Sequence, residues 1–200
     1  MFKVNKRNIS LTDVPYIIAE LSANHNGDIE RAFEIIRSAK ESGAHAVKFQ
    51  AYTPHSMTIE CDKSDFQIKK GTWAGRNLFD LYKEAGTPLE WQKELFSYSR
   101  ELGITCFSTP FDEAGVDLLY DLDAPAFKVA SFEMTDHGLL DKIGQTKKPV
   151  LMSTGLASLE EIEESISVLK NAGNEDLLIF HCISSYPAPI DQSHLSMIGM

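Results

Sequence analysis

Two lysines stand inside runs that are otherwise apolar, Lys48 in HAVKFQ and Lys128 in FKVAS. A charged side chain in such a run is costly to bury unless it points into a solvated pocket or meets a partner. Hydroxyl groups recur at corresponding places: Thr109 ends TCFST, Ser131 ends FKVAS, Ser153 and Thr154 end PVLMST, and Ser184 and Ser185 follow LLIFHC. Amines accompanied by neutral donors suit a phosphate or a carboxylate. A second chemistry stays open, in which one lysine is a desolvated amine that forms a Schiff base with a carbonyl substrate. A third reading has each lysine lay its stem along the sheet and reach the edge with its head. The hydroxyls favour the anion pocket, because a Schiff-base lysine works beside a proton-shuttling tyrosine or carboxylate.

Two carboxylates are candidate acid/base groups. Glu20 closes the apolar run IIAE, where an ion pair with a lysine is the competing reading, and Glu133 follows KVASF, where a solvated loop glutamate is the competing one. Gln50 and Tyr186 suit the rim of a sugar site, or ordinary packing. His25 in ANHNG reads as a turn residue bonded to backbone, and His181 in IFHC reads equally as core or pocket. No pair of histidines has metal-ligand spacing, so no metal ligand is assigned.

When each apolar run carries its polar group near its end, the runs must be strands whose ends share one edge of a parallel sheet, the edge where α/β folds place their chemistry. A short hairpin (Lys3–Val4 with Asn8–Ser10) precedes strands expected at about 17–21, 45–50, 104–108, 126–130, 149–153 and 177–182. Helices are expected between them. The first runs from Ile29 to Ser42, capped by Asp28 and stopped by Gly43. Thr87-Pro88-Leu89-Glu90 predicts a capping box opening a helix that ends at Gly103. Asp112 opens the next, a further helix lies near 136–146, and Ser158 with Glu161 caps the last. The connection 51–86 far exceeds the roughly 2–6 residues of an ordinary βα loop, and within it LFDLYKEA predicts an extra helix. No glycine-rich nucleotide-binding motif follows any strand. Functional residues on every strand favour an α/β fold of the TIM (β/α)8 type, here truncated to about six βα units.

Composition narrows the function further. With 19 Lys and Arg against 29 Asp and Glu, the net charge of −10 argues against a nucleic-acid or acidic-membrane partner. No apolar stretch approaches the roughly 20 residues needed to span a bilayer. Cys61, Cys106 and Cys182 are odd in number and far apart, and read as reduced, buried thiols of a cytoplasmic protein.

In order along the chain, IAELSANHNGD, KFQAYT, GRNLFDLYKEAGTPLEW, FSTPFD, FKVASFE, STGLAS and HCISSYPAP resemble the sialic-acid-synthase family from about residue 15 to about 195. The resemblance implies condensation of phosphoenolpyruvate with the open-chain aldehyde of an acetamido sugar. For the branch most like this chain, that sugar is 2,4-diacetamido-2,4,6-trideoxy-altrose. Carried over by motif, Lys48, Thr109, Lys128, Ser131 and Ser153 match positions that hold phosphoenolpyruvate. Gln50, Glu133 and Tyr186 match sugar-side positions, and Glu20 matches a carboxylate close to the reacting carbons. Ser184 stands where sialic acid synthases tend to carry asparagine. The resemblance also implies a divalent metal (Mn, Mg or Co) whose histidine ligands lie beyond this chain, and a homodimer in the full-length family. It implies barrel strands seven and eight and an antifreeze-like domain, which residues 1–200 do not include. On that reading the isolated chain is expected to be poorly folded or oligomeric and catalytically weak. A Schiff-base aldolase, another nonulosonic acid synthase and an inactive binding remnant are the alternatives.

Overall fold

A hydrophobic strand buried on both faces needs no alternation, and this is the pattern that the inner strands show. The computed structural model describes residues 2–185 and 187–199. It falls into two compact units, residues 15–124 and the remainder.

The 15–124 unit holds three parallel strands, β3 (Ile18–Glu20), β4 (Ala46–Ala51) and β5 (Thr105–Pro110). Between them run α1 (Ile29–Glu41), α2 (Pro54–Met57), α3 (Leu78–Ala85) and α4 (Trp91–Leu102), and α5 (Glu113–Asp121) follows β5. The other unit begins with the antiparallel pair β1 (Phe2–Val4) and β2 (Arg7–Ile9), the expected hairpin. It continues with parallel β6 (Phe127–Val129), β7 (Val150–Ser153) and β8 (Leu177–Phe180), and with α6 (His137–Gln145) and α7 (Leu159–Asn171). The fold is that of a TIM-type barrel carried through six strands of βα construction. No helix among the described residues is long and apolar enough to cross a membrane.

Local chemistry explains most boundaries. Asp28, Asp112 and Asp136 each accept a backbone N–H of the first helical turn, and Ser158 with Glu161 forms a reciprocal capping box. Gly43 and Gly103 take φ of 87° and 70°, the left-handed conformation that ends a helix cheaply only at glycine. Apolar side chains on α4, among them Leu95 and Phe96, are buried, and Phe96 meets Phe49 of β4 edge-on at 5.9 Å. Phe49 therefore faces the helices, and its neighbours Lys48 and Gln50 face the opposite side of the strand.

Two expectations need correction, and a third, the helix at LFDLYKEA, is met by α3 and added to. Thr87 does not cap α4, which starts at Trp91 with no side-chain cap on Glu90. Thr87 is buried, and its hydroxyl lies 3.1 Å from His25 Nε2. The long connection also contains α2, capped by a Thr53/Ser56 box with proline at its first turn, and a 3₁₀ turn at Ser64–Phe66. Of the three free cysteines only Cys106 is buried, and burial pushes its thiol up to about 11.

His25 is a turn residue bonded to backbone, as expected, and it is also fully buried. Its Nδ1 accepts the Gly27 N–H at 3.0 Å, so Nε2 carries the proton and donates to Thr87. The ring also meets Trp91 edge-on at 5.5 Å. One imidazole thus ties the turn after β3 to the start of α4. Burial lowers its affinity for a proton below the ordinary 6.5. The unfolded chain then binds the extra proton more readily, so stability is present above that value and is lost as pH falls below it. Denaturant unfolding followed between pH 7.5 and 5 should show this acid-side loss, and His25→Gln should flatten it.

Candidate active site

In the 15–124 unit, register alone assembles a polar group. Glu20 pairs directly with Lys48, Lys48 with Phe107, and Gln50 with Thr109. Residues paired across parallel strands, and those two apart along one strand, share a face. Glu20, Lys48, Gln50 and Thr109 therefore lie together on the face turned away from the helices. The Lys48 ammonium is 3.0 Å from Glu20 Oε2, 3.0 Å from Thr109 Oγ1 and 3.5 Å from the Phe49 carbonyl oxygen. Lys48 and Thr109 are buried, whereas the Glu20 side chain is half exposed. Both readings of Glu20 are compatible with this: it is an ion-pair partner and also a carboxylate open to a ligand. The Gln50 carbonyl accepts from Gln92 Nε2 at 2.9 Å, which fixes the strand beneath its half-buried side chain.

The same device recurs in the other unit. Lys128 pairs with Leu151, and Ser153 lies two residues on, paired with Phe180. The Lys128 ammonium donates to Ser153 Oγ at 2.5 Å and to the Val129 carbonyl at 2.8 Å, and stands 5.6 Å from the centre of the Phe180 ring. In both units, a lysine bonds the next residue's carbonyl and a hydroxyl one strand over. Neither lysine fits the reading in which its head merely escapes to the sheet edge.

Beyond the ends of β6 and β7 the chain comes close to itself. Ser131 Oγ accepts the Gly155 N–H at 3.2 Å. A Cβ built on Gly155 would run into Ser184 Oγ and would lie 3.1 Å from Cys182 Cβ and 3.3 Å from Ser131 Oγ. Only glycine leaves room here for Ser131 and the exposed Ser184 to lie against residue 155. Thr154 is different: its hydroxyl donates to the Phe180 carbonyl at 2.8 Å, so it braces the backbone.

Glu133 opens a 3₁₀ turn, Glu133–Thr135, with Met134 fully buried. The turn is pinned from α7, where the buried Ser165 hydroxyl lies 2.7 Å from the Met134 carbonyl oxygen. Glu133 is half-buried and its Oε2 has no hydrogen-bond partner, so it is not a solvated loop residue. Burial raises its proton affinity above the usual carboxylate range, opposed by its own backbone N–H and by Lys128. His181 is half-buried, with Nε2 2.9 Å from the Ser193 carbonyl oxygen. Tyr186 lies outside the described residues.

Two contributors were missed by the sequence reading. Phe180 places a ring face near the Lys128 ammonium. Gly155 leaves room for Ser131 and Ser184 to lie close against it. The glycine after Ser153-Thr154 was a readable signal; an aromatic inside LLIFHC was not.

The sequence profile of the NeuB family matches residues 35–200. A pseudaminic acid synthase of Helicobacter pylori is 42% identical over 187 residues, covering 93% of this chain and 55% of the relative. One from Campylobacter jejuni is 44% identical over 183 residues, covering 92% and 53%. The crystal structure of an N-acetylneuraminic acid (sialic acid) synthetase from Leptospira borgpetersenii, in complex with citrate, superposes with a TM-score of 0.81 at 28% identity. It covers 96% of this chain and 65% of that one. The chain spans about half the length of the curated relatives it matches.

The close packing around Gly155 is directly testable. Gly155→Ala should destabilise the protein by about 1–3 kcal/mol, the range for forcing a methyl into a filled space. Urea unfolding measures this, and Ser184→Gly in the same chain should restore part of the loss.

Proposed function

The chain belongs to the NeuB family, and on that premise we propose that it condenses phosphoenolpyruvate with the open-chain aldehyde of an acetamido sugar to give a nonulosonic acid and phosphate. The sugar proposed is 2,4-diacetamido-2,4,6-trideoxy-altrose and the product pseudaminic acid, in line with the similarity to two pseudaminic acid synthases. The observation that carries the reading is the repeated lysine–hydroxyl device. Lys48 with Thr109, and Lys128 with Ser153, each offer a strand-fixed cation beside a neutral donor. Preorganised donors of this kind suit the carboxylate and phosphate of phosphoenolpyruvate, with Ser131 and Ser184 as further hydroxyls.

C3 of phosphoenolpyruvate attacks the aldehyde carbon, and positive charge develops at C2. Water adds at C2, and the tetrahedral intermediate expels phosphate with cleavage of the C–O bond. Glu133, held toward its protonated form by burial, donates a proton to the aldehyde oxygen. Glu20 accepts one from the adding water. Gln50 and Tyr186 take the acetamido sugar. The family resemblance implies a divalent cation that activates the aldehyde. Among the described residues no three His, Cys, Asp or Glu side chains come together as its ligands, so the residues present do not by themselves fit that ion.

The test incubates the chain with phosphoenolpyruvate, the diacetamido sugar and Mn, Mg or Co, and follows inorganic phosphate. Release that requires both substrates supports the reading. Faster turnover of N-acetylmannosamine would move the assignment to a sialic acid synthase, and binding of phosphoenolpyruvate without turnover would mark a binding remnant. Borohydride trapping with a keto acid would instead establish a Schiff-base aldolase.

Since the proton on Glu133 is needed, turnover should fall as pH rises through its elevated value. Glu133→Gln should abolish that limb and cost about 10²–10⁴ in kcat. Lys128→Met should weaken phosphoenolpyruvate binding by about 10–100-fold, the size of a hydrogen bond to a charged group.

A further inference from the structure

The Lys48 ammonium is met by three oxygens: it donates to Thr109 Oγ1 at 3.0 Å and to the Phe49 carbonyl at 3.5 Å, and it forms an ion pair with Glu20 Oε2 at 3.0 Å. An incoming anion must compete with these oxygens for the ammonium. The three are not equivalent. The Phe49 carbonyl is part of β4 itself and cannot move without moving the strand. Thr109 is buried on β5, and displacing its hydroxyl would leave a polar group without water. Glu20 is the last residue of β3, and its side chain is 50% exposed against 8% for that of Lys48. Its carboxylate can turn away and be hydrated at once. Chemically it is also the matching group, since a carboxylate on Lys48 resembles the anion that the site is read to bind.

We propose that Glu20 is an internal anion that holds the ligand position of Lys48 in the free protein and is displaced by phosphoenolpyruvate, so that its carboxylate becomes available as a base only after the anion has bound. The inference rests on the phosphoenolpyruvate reading given above. The bridge keeps Lys48 compensated while the pocket is empty, and anion binding breaks it. Glu20 works against the substrate in the ground state although it serves the reaction.

The test is calorimetric titration of phosphoenolpyruvate into the unsubstituted chain, Glu20→Gln, Lys48→Met and the double variant. Glu20→Gln should bind about two- to fivefold more tightly, the size of an exposed ion pair that no longer competes, while its turnover falls. In the Lys48→Met background the same change should have no effect, which separates exchange at Lys48 from the general removal of a negative charge. A second measurement stays readable if Lys48→Met folds poorly: the ¹³C carboxyl resonance of Glu20 should move as phosphoenolpyruvate saturates the unsubstituted chain. Equal tightening in both backgrounds, or a Glu20 resonance that stays in place at saturation, overturns the exchange and leaves the anion site standing. Failure of the unsubstituted chain to bind phosphoenolpyruvate removes the site and the exchange together.

Discussion

A lysine ammonium on a strand buried on both faces must be met by fixed oxygens, and most of the candidate site follows from that requirement. The ion cannot be left bare in an apolar setting. In both units the answer is the same. The lysine's in-register neighbour on the following strand is apolar, Phe107 or Leu151, and the hydroxyl comes two residues later, at Thr109 or Ser153. A two-residue offset keeps the hydroxyl on the lysine's face and moves it toward the carboxyl end of the strand, the direction in which the long side chain leans. The carbonyl of the next residue supplies a second oxygen from the same strand. Polar groups therefore gather near the strand ends because lysine's reach sets where its partner must stand.

That requirement also decides what the sequence could reveal. Lys48 and Lys128 were legible because a charge inside an apolar run is expensive and so is rarely accidental. Helix starts were legible where a cap bonds within its own turn, as with Asp28, Asp112 and Ser158. Thr87 misled because its proline and following glutamate satisfied the same local pattern, while its hydroxyl answered to His25, 62 residues earlier. A capping signal describes what a residue can do locally and is silent about a distant partner. Strands β3 to β8 were placed within about two residues, since runs of apolar residues between turn signals carry that information directly.

Burial set by tertiary packing was the part that could not be read. Glu133 follows a strand like any loop glutamate. Its desolvation arises because Met134 is drawn into the interior and Ser165 of α7 holds that residue's carbonyl. Phe180 was hidden for the opposite reason. An aromatic in LLIFHC is what any buried strand contains, and only the register Ser153 to Phe180 brings its ring near Lys128. The chemistry of this site thus divides between residues whose type is unusual for their local sequence, which can be found, and ordinary residues made useful by a neighbour from another element.

The two lysine devices differ in one respect that bears on how they act. Lys128 donates to Ser153 Oγ and to the Val129 carbonyl, with the ring face of Phe180 nearby. Lys48 is already neutralised by Glu20. A compensated cation is suited to responding, since it takes up the ligand only by releasing its partner. One repeated strand motif therefore holds both ammonium groups, and at Lys48 a carboxylate is added to it. That addition requires no difference in backbone design, only a glutamate at the end of β3.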